Sequence, residues 1–209
     1  MKKSLPDFSF EKPLWNKGFK AIGGVDEVGR GALAGPVVTG CVIFKENQEI
    51  NVLIKDSKVL TQKQKEVADI WIKENALTYG IGSASVAEID KLGIVGATNK
   101  AFRRAVANCQ IKIDYLVIDA FYIPYVKGLR KKNQKPIVKG DSLSVSIAAA
   151  SIIAKVHRDK LMSKLSRNLK YKKYKWDENK GYGTQNHREA IKIYGKTRLH
   201  RVSFLLKLY

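Results

Sequence analysis

Two apolar runs, residues 20–28 and 36–44, flank a short turn rich in Gly and Ala. Their composition predicts a pair of buried strands. The first carries two adjacent carboxylates, Asp26 and Glu27, and is followed at once by Gly29-Arg30-Gly31. Carboxylates in a strand heading for a core are costly unless a cation takes up their charge. Glycines on both sides of an arginine let backbone approach a ligand closely while one cation reaches it. Acids beside such a loop are what a metal-dependent enzyme acting on a phosphodiester needs. On a regular strand neighbouring side chains leave by opposite faces, so Asp26 and Glu27 share a site only if the strand ends or bulges at Glu27.

The chain has 209 residues and 44% hydrophobic composition, enough for one sizeable core. No apolar run is long enough to span a membrane, and the basic N-terminus has no apolar segment behind it to make a secretory signal. Cys41 and Cys109 are the two cysteines and lie far apart in sequence, which predicts reduced thiols in a cytoplasmic protein rather than a zinc site. The formal charge of +20 points to a polyanionic partner. That charge is uneven. Residues 164–175 hold six basic residues and no acid, interleaved with Tyr171 and Tyr174, and residues 127–139 hold another six. Nucleic acid is favoured over a merely solvated face. A membrane surface is disfavoured, because the basic tracts lack a strong apolar side.

The periodicity predicts helices over 62–76 (opened by Thr61), 94–109 and from Ser144 to about residue 169, within the usual uncertainty at element ends. Strands are predicted over 77–87, 115–119 and 137–138, and short helices near 185–194 and 202–208. The small residues Ala148-Ala149-Ala150-Ser151 suit close packing on a sheet. The whole is an α/β arrangement: antiparallel strands first, strand–helix alternation next, a helical extension last.

Two further acids share the setting of Asp26 and Glu27. Asp119 ends a short apolar strand, and Asp141 precedes a helix. Four carboxylates together repel one another unless cations intervene, and oxygen-only donors select Mg²⁺ or Mn²⁺ over zinc. Two such ions about 4 Å apart can activate a water and stabilise a leaving oxygen. Plainer roles stay open: a loop amide can satisfy Asp119, and Asp141 can cap the helix that follows.

The stretch Gly24-Val25-Asp26-Glu27-Val28-Gly29-Arg30-Gly31, with Ala34-Gly35-Pro36-Val37-Val38, resembles the signature of ribonuclease HII. The resemblance continues in order through Asp56-Ser57-Lys58, Ile118-Asp119, Lys139-Gly140-Asp141-Ser142, residues 148–159, Gly181-Tyr182-Gly183-Thr184 with His187, and His200-Arg201 with Ser203-Phe204. It implies a ribonuclease H-like fold: a five-stranded mixed sheet flanked by helices, as one domain with its core at residues 18–170 and a helical C-terminal extension over 171–209. It implies cleavage of the RNA strand of RNA–DNA hybrids and nicking of DNA duplexes at embedded ribonucleotides. By the resemblance Asp26, Glu27, Asp119 and Asp141 are catalytic, metal-binding acids for Mg²⁺ or Mn²⁺. Gly29, Arg30 and Gly31 read the ribonucleotide, and Tyr182 packs on its sugar. Only a 2′-hydroxyl marks RNA at one position, and it both donates and accepts.

Lys58 is a candidate phosphate contact. Arg158 and Asp159 are expected to pair within the long helix. His157, His187 and His200 are candidate phosphate or structural contacts. The related type HIII usually carries an extra N-terminal domain and lacks Gly-Arg-Gly, so type HII fits better. A monomer is expected. The end of the chain, Phe204-Leu205-Leu206-Lys207-Leu208-Tyr209, suits either a packed helix or a short sliding-clamp contact. Two rivals remain at this stage: a non-catalytic basic RNA-binding module, and a metal nuclease for another structure such as a DNA junction.

Overall fold

The computed structural model describes residues 5–205. Five strands form one mixed sheet: β1 (Ile22–Val28), β2 (Val37–Ile43), β3 (Thr78–Ala84), β4 (Tyr115–Asp119) and β5 (Gln134–Ile137). Their spatial order is β3-β2-β1-β4-β5. The first three pair antiparallel, whereas β4 runs parallel to both β1 and β5. The chain direction thus changes pattern beside β1, where ligands gather in open α/β sheets. Register does the rest. Val25 pairs with Ile118, so Asp26 and Asp119 follow at the same ends of two neighbouring parallel strands.

Alternation along the strands splits the core between two faces. Ile22, Val42, Val117 and Ile137 pack with α2 (Gln62–Asn75) and α4 (Val145–Ser166). Val25, Cys41, Ile43, Leu116 and Ile118 pack with Phe102 and Ala105 of α3 (Val86–Ala107). Small residues allow close approach. A Cβ on Gly24 would overlap the backbone of Ser146 and Ile147, and one on Gly40 would overlap the carbonyl of Ala150. The small face expected at residues 148–150 is fully buried there.

Thr61 caps α2 in a reciprocal box with Gln64. The helix expected from residue 94 starts earlier, at Val86, because Ser85 and Glu88 form a second capping box; Gly93, at φ 69°, breaks it near the expected start. The last strand runs over Gln134–Ile137 rather than 137–138, and its edge position tolerates Pro136. The long helix starts where expected, with Ser144 as its cap.

The segment before β1, with α1 (Lys12–Trp15), buries Phe8, Leu14 and Trp15 in the main core. It also clasps the start of α4. Val145 N–H donates to the Asp7 carbonyl at 3.0 Å, and Ser144 Oγ donates to the buried Glu11 carboxylate at 2.6 Å. Beyond α4 lie α5 (Leu169–Lys172), α6 (Trp176–Asn179), α7 (Gln185–Tyr194) and α8 (Val202–Leu205). They gather Tyr171, Tyr174, Trp176 and Ile191 against Leu33, Ala34 and Met162. Tyr171 and Tyr174 each stack on Trp176, at centroid distances of 5.2 and 5.5 Å. The aromatics within the basic tract are therefore core, not a face for bases. Residues 206–209, which carry most of the clamp-motif expectation, lie outside the described residues. Among the described residues no helix is long and apolar enough to cross a membrane, and neither cysteine forms a disulfide.

Candidate active site

One cavity of about 550 Å³ opens where β1 and β4 end, lined by Asp26, Glu27, Gly29, Arg30, Lys58, Lys65, Asp119, Lys155 and Tyr182 among others. Asp26 and Glu27 reach it without a bulge, because the β1–β2 register runs unbroken through Asp26–Gly40, Glu27–Thr39 and Val28–Val38. The strand instead ends one residue later and turns at Gly29, φ 87°. Asp26, 5% exposed, lies beside Ser151 of α4 and accepts the Glu27 amide at 2.7 Å. Glu27 faces Arg30 at 3.5 Å and leaves its Oε2 buried without a partner.

Asp119 Oδ1 accepts the Gly140 amide at 2.8 Å, so the loop-amide role and a place in the cavity coexist. Asp141 does not cap α4; it lies in a 3₁₀ turn over Gly140–Ser142, and Ser144 takes the cap. It is buried and receives Lys58 Nζ at 2.9 Å, which ties it to the cavity wall. Lys58 thus stands on an acid rather than free for phosphate.

The carboxylates are electrostatically crowded. Burial, then the charge of Glu27, then that of Asp119 push Asp26 well above its ordinary range. Burial raises Glu27 against the opposing pull of Arg30, with Asp119 adding to the rise. Burial also raises Asp119, offset by the Gly140 amide and reinforced by Asp141. Desolvation lowers Lys58, but its bond to Asp141 and the charges of Asp141, Asp56 and Asp26 outweigh this, so it shifts upward. Among the described residues no group of three or more His, Cys, Asp or Glu is gathered ready to hold an ion. Arg30 and Lys58 hold two of the acids. An all-oxygen donor set, upshifted acids and an orphaned Glu27 oxygen nonetheless fit a hard divalent cation.

The ribonuclease HII family model matches residues 23–207. The chain belongs to the ribonuclease HII family. It is 49% identical over 201 residues to the ribonuclease HII of Wolbachia sp. subsp. Brugia malayi, covering 96% of this chain and 94% of that protein. It is 45% identical over 199 residues to that of Caldanaerobacter subterraneus subsp. tengcongensis, covering 95% and 80%. The crystal structure of the ribonuclease H2 from Pyrococcus horikoshii OT3 superposes with TM-score 0.69 at 25% identity, over 90% of this chain and 96% of that one. The fold is thus ribonuclease H-like, and the protein is a ribonuclease H, an endonucleolytic hydrolase.

One sequence expectation changes within this ribonuclease HII framework and one open choice is resolved. Arg158 and Asp159 do not pair: consecutive helical residues diverge, so Asp159 takes Lys155 at 2.8 Å while Arg158 turns to backbone carbonyls. Of the two roles open to His187 and His200, phosphate or structural contact, burial of both rings supports the structural one. His157 is exposed. Trp176 Nε1 donates to His187 Nε2 at 3.0 Å, His187 Nδ1 lies 2.9 Å from the Tyr182 carbonyl, and the two Nε2 atoms are 3.2 Å apart. Thr197 N–H donates to His200 Nδ1 at 2.9 Å. The pattern requires a proton on His187 Nδ1 and on His200 Nε2, both rings neutral. Nothing in sequence spacing signalled this pair, which ties the Tyr182 loop to the extension.

Burial, then His187, push His200 down to about 4, and burial lowers His187. An unfolded imidazole titrates near ~6.5, so between these values the unfolded chain binds more protons than the folded one. This stability is complete above about pH 6.5 and drains as pH falls towards 4, by on the order of 3 kcal/mol. Thermal melts across that range should show His200→Asn losing less on acidification than the parent chain. Parallel curves would dismiss the pair as a pH-sensitive brace.

Proposed function

We propose that the chain cleaves the RNA strand of RNA–DNA hybrids and nicks DNA duplexes 5′ of embedded ribonucleotides, leaving 5′-phosphate and 3′-hydroxyl ends. The carrying observation is the convergence of Asp26, Glu27 and Asp119 on one cavity whose wall includes Gly29, Arg30 and Tyr182. Asp26, Glu27, Asp119 and Asp141 would hold Mg²⁺ or Mn²⁺. Bound there, the ions supply activation of the attacking water and stabilisation of the leaving 3′-oxygen.

The chain's own groups do the rest. Lys65 and Lys155 line the same cavity and attract the substrate phosphates, while Lys58 holds Asp141 at its wall. The Gly29-Arg30-Gly31 backbone addresses the 2′-hydroxyl, and Tyr182 offers a flat apolar face with a polar tip to the sugar. Arg30 stays near the cleavage point, held between Glu27 and the Phe121 ring, whose centroid is 4.9 Å away. Phosphate contacts make binding fall as salt rises.

A DNA duplex with one internal ribonucleotide, incubated with Mg²⁺ or Mn²⁺, should be nicked 5′ of that ribonucleotide. An all-DNA duplex should stay intact. Failure to nick at any divalent-ion concentration overturns the proposal, and equal cutting of the all-DNA duplex points instead to a nuclease for another structure.

A further inference from the structure

Arg158 on α4 and Arg201, just before α8, are both 0% exposed. Among the described residues neither forms an ion pair with a carboxylate. A buried guanidinium without a counter-charge is costly and needs its donors satisfied. Here backbone carbonyls satisfy them. Arg201 donates to Gly29 O at 2.7 Å, Arg30 O at 2.8 Å and Gly35 O at 3.0 Å. Arg158 donates to Lys180 O at 2.8 Å, Pro36 O at 2.9 Å and Ala34 O at 3.1 Å.

Five of these six carbonyls belong to residues 29–36, the Gly-Arg-Gly loop and its return. The sixth, Lys180, lies two residues before Tyr182. Gly181 O closes the link by accepting from Leu33 N at 2.8 Å. The Arg158 guanidinium also lies 5.3 Å from the Tyr182 ring centroid. Gly29 is pressed onto Arg158: a Cβ there would overlap the guanidinium. With the Gly29 and Arg30 carbonyls drawn inward, the amides of Arg30 and Gly31 have no acceptor among the described residues. The loop is left presenting donors. Burial and the neighbouring Arg158 push Arg201 down to about 9, so it keeps its charge at neutral pH.

We propose that Arg201, together with Arg158, is a positioning residue that fixes the Gly29–Gly31 backbone and Tyr182 as one rigid reader, and so sets the preference for ribose over deoxyribose. This rests on the substrate reading above. A guanidinium can span three carbonyls in a fixed plane, whereas an ammonium on a flexible stem cannot. The reader's alignment matters because a hydrogen bond aimed at a 2′-hydroxyl works only when held in place.

The test uses the full chain and the Arg201→Lys variant. Two values are measured in Mg²⁺: KM for a duplex with one ribonucleotide, and Ki for the same duplex made wholly of DNA as competitor. The parent chain should show Ki exceeding KM by about tenfold or more, the worth of one well-placed hydrogen bond. Arg201→Lys should bring the ratio close to one by raising KM, with Ki and the Mn²⁺-induced shift in melting temperature unchanged. A variant that loses kcat or stability but keeps the ratio overturns the proposal and leaves Arg201 a structural brace. If Arg201→Lys does not fold, Arg158→Lys is read in the same way; failure of both to fold also overturns the specificity role. A parent chain that nicks no ribonucleotide refutes the substrate reading instead, so the two failures are distinguishable.

Discussion

Asp26→Asn is expected to abolish cleavage while raising the melting temperature of the ion-free protein. Asp26 is buried, and burial together with the charges of Glu27 and Asp119 raises its pKa. A carboxyl whose folded pKa exceeds its unfolded value binds more protons when folded. Its contribution is therefore favourable at low pH and is lost as pH rises from about 4 through the raised value. Above that raised value the buried, ionised carboxylate works against the fold. Asn keeps the shape and removes the charge. A gain of about 1–2 kcal/mol, or roughly 2–8 °C for a chain of this size, should follow. Activity should fall by about 10³-fold or more, since an oxygen donor to the ions is weakened where charge develops. The parent chain should also melt higher with Mn²⁺, as any ligand of the native state requires, and Asp26→Asn should lose most of that gain. Calorimetry with and without Mn²⁺, beside the nicking assay, decides the matter. Retained cleavage, or a variant less stable than the parent, would falsify the assignment.

The second large effect concerns folding itself. Gly24→Ala should destabilise the protein by about 3 kcal/mol or more, because its methyl would meet backbone, which cannot rotate away. The obstructing atoms belong to Ser146 and Ile147 at the start of α4. Relief requires β1 and α4 to separate, which would disturb Asp26 and Ser151 together. Gly31→Ala is the control: a Cβ there meets nothing within 4 Å. Urea unfolding of both variants should give a much lower midpoint for Gly24→Ala and a nearly unchanged one for Gly31→Ala. Equal midpoints would show that the β1–α4 contact yields more easily than its packing implies.

Those two residues also mark how far the sequence could be read. Asp26, Glu27 and the Gly-Arg-Gly loop are contiguous, so their chemistry was legible along the chain. Asp119 was legible as the end of an apolar strand, and the β1–β4 register brings it beside Asp26. For Asp141 the cap role stayed open because local rules favour Asp before a helix; the structure closes it, since Ser144 lies nearer the helix start. Tyr171 and Tyr174 counted only as aromatics interleaved with a basic tract; the partner that buries them, Trp176, follows after the turn. Arg158 and Arg201 stood in the family-like blocks, but their hold on the Gly-Arg-Gly loop could not be read. Their acceptors are main-chain carbonyls, which carry no sequence signal, and five of the six lie more than a hundred residues away.

The reach of Arg201 has a consequence for the order in which the molecule matures. It bonds the Arg30 carbonyl across a sequence separation of 171 residues, and His200 bridges to Ala34 just beside it. The sheet and all four acids are complete once residue 166 has been made. A nascent chain can therefore gather its acids while the Gly-Arg-Gly loop still lacks its carbonyl anchor. Contacts of such separation close late, because loop entropy must be met first. On the reading proposed above, selectivity for ribose would follow the gathering of the acids, and a chain interrupted near residue 190 would lack the anchor of its Gly-Arg-Gly loop.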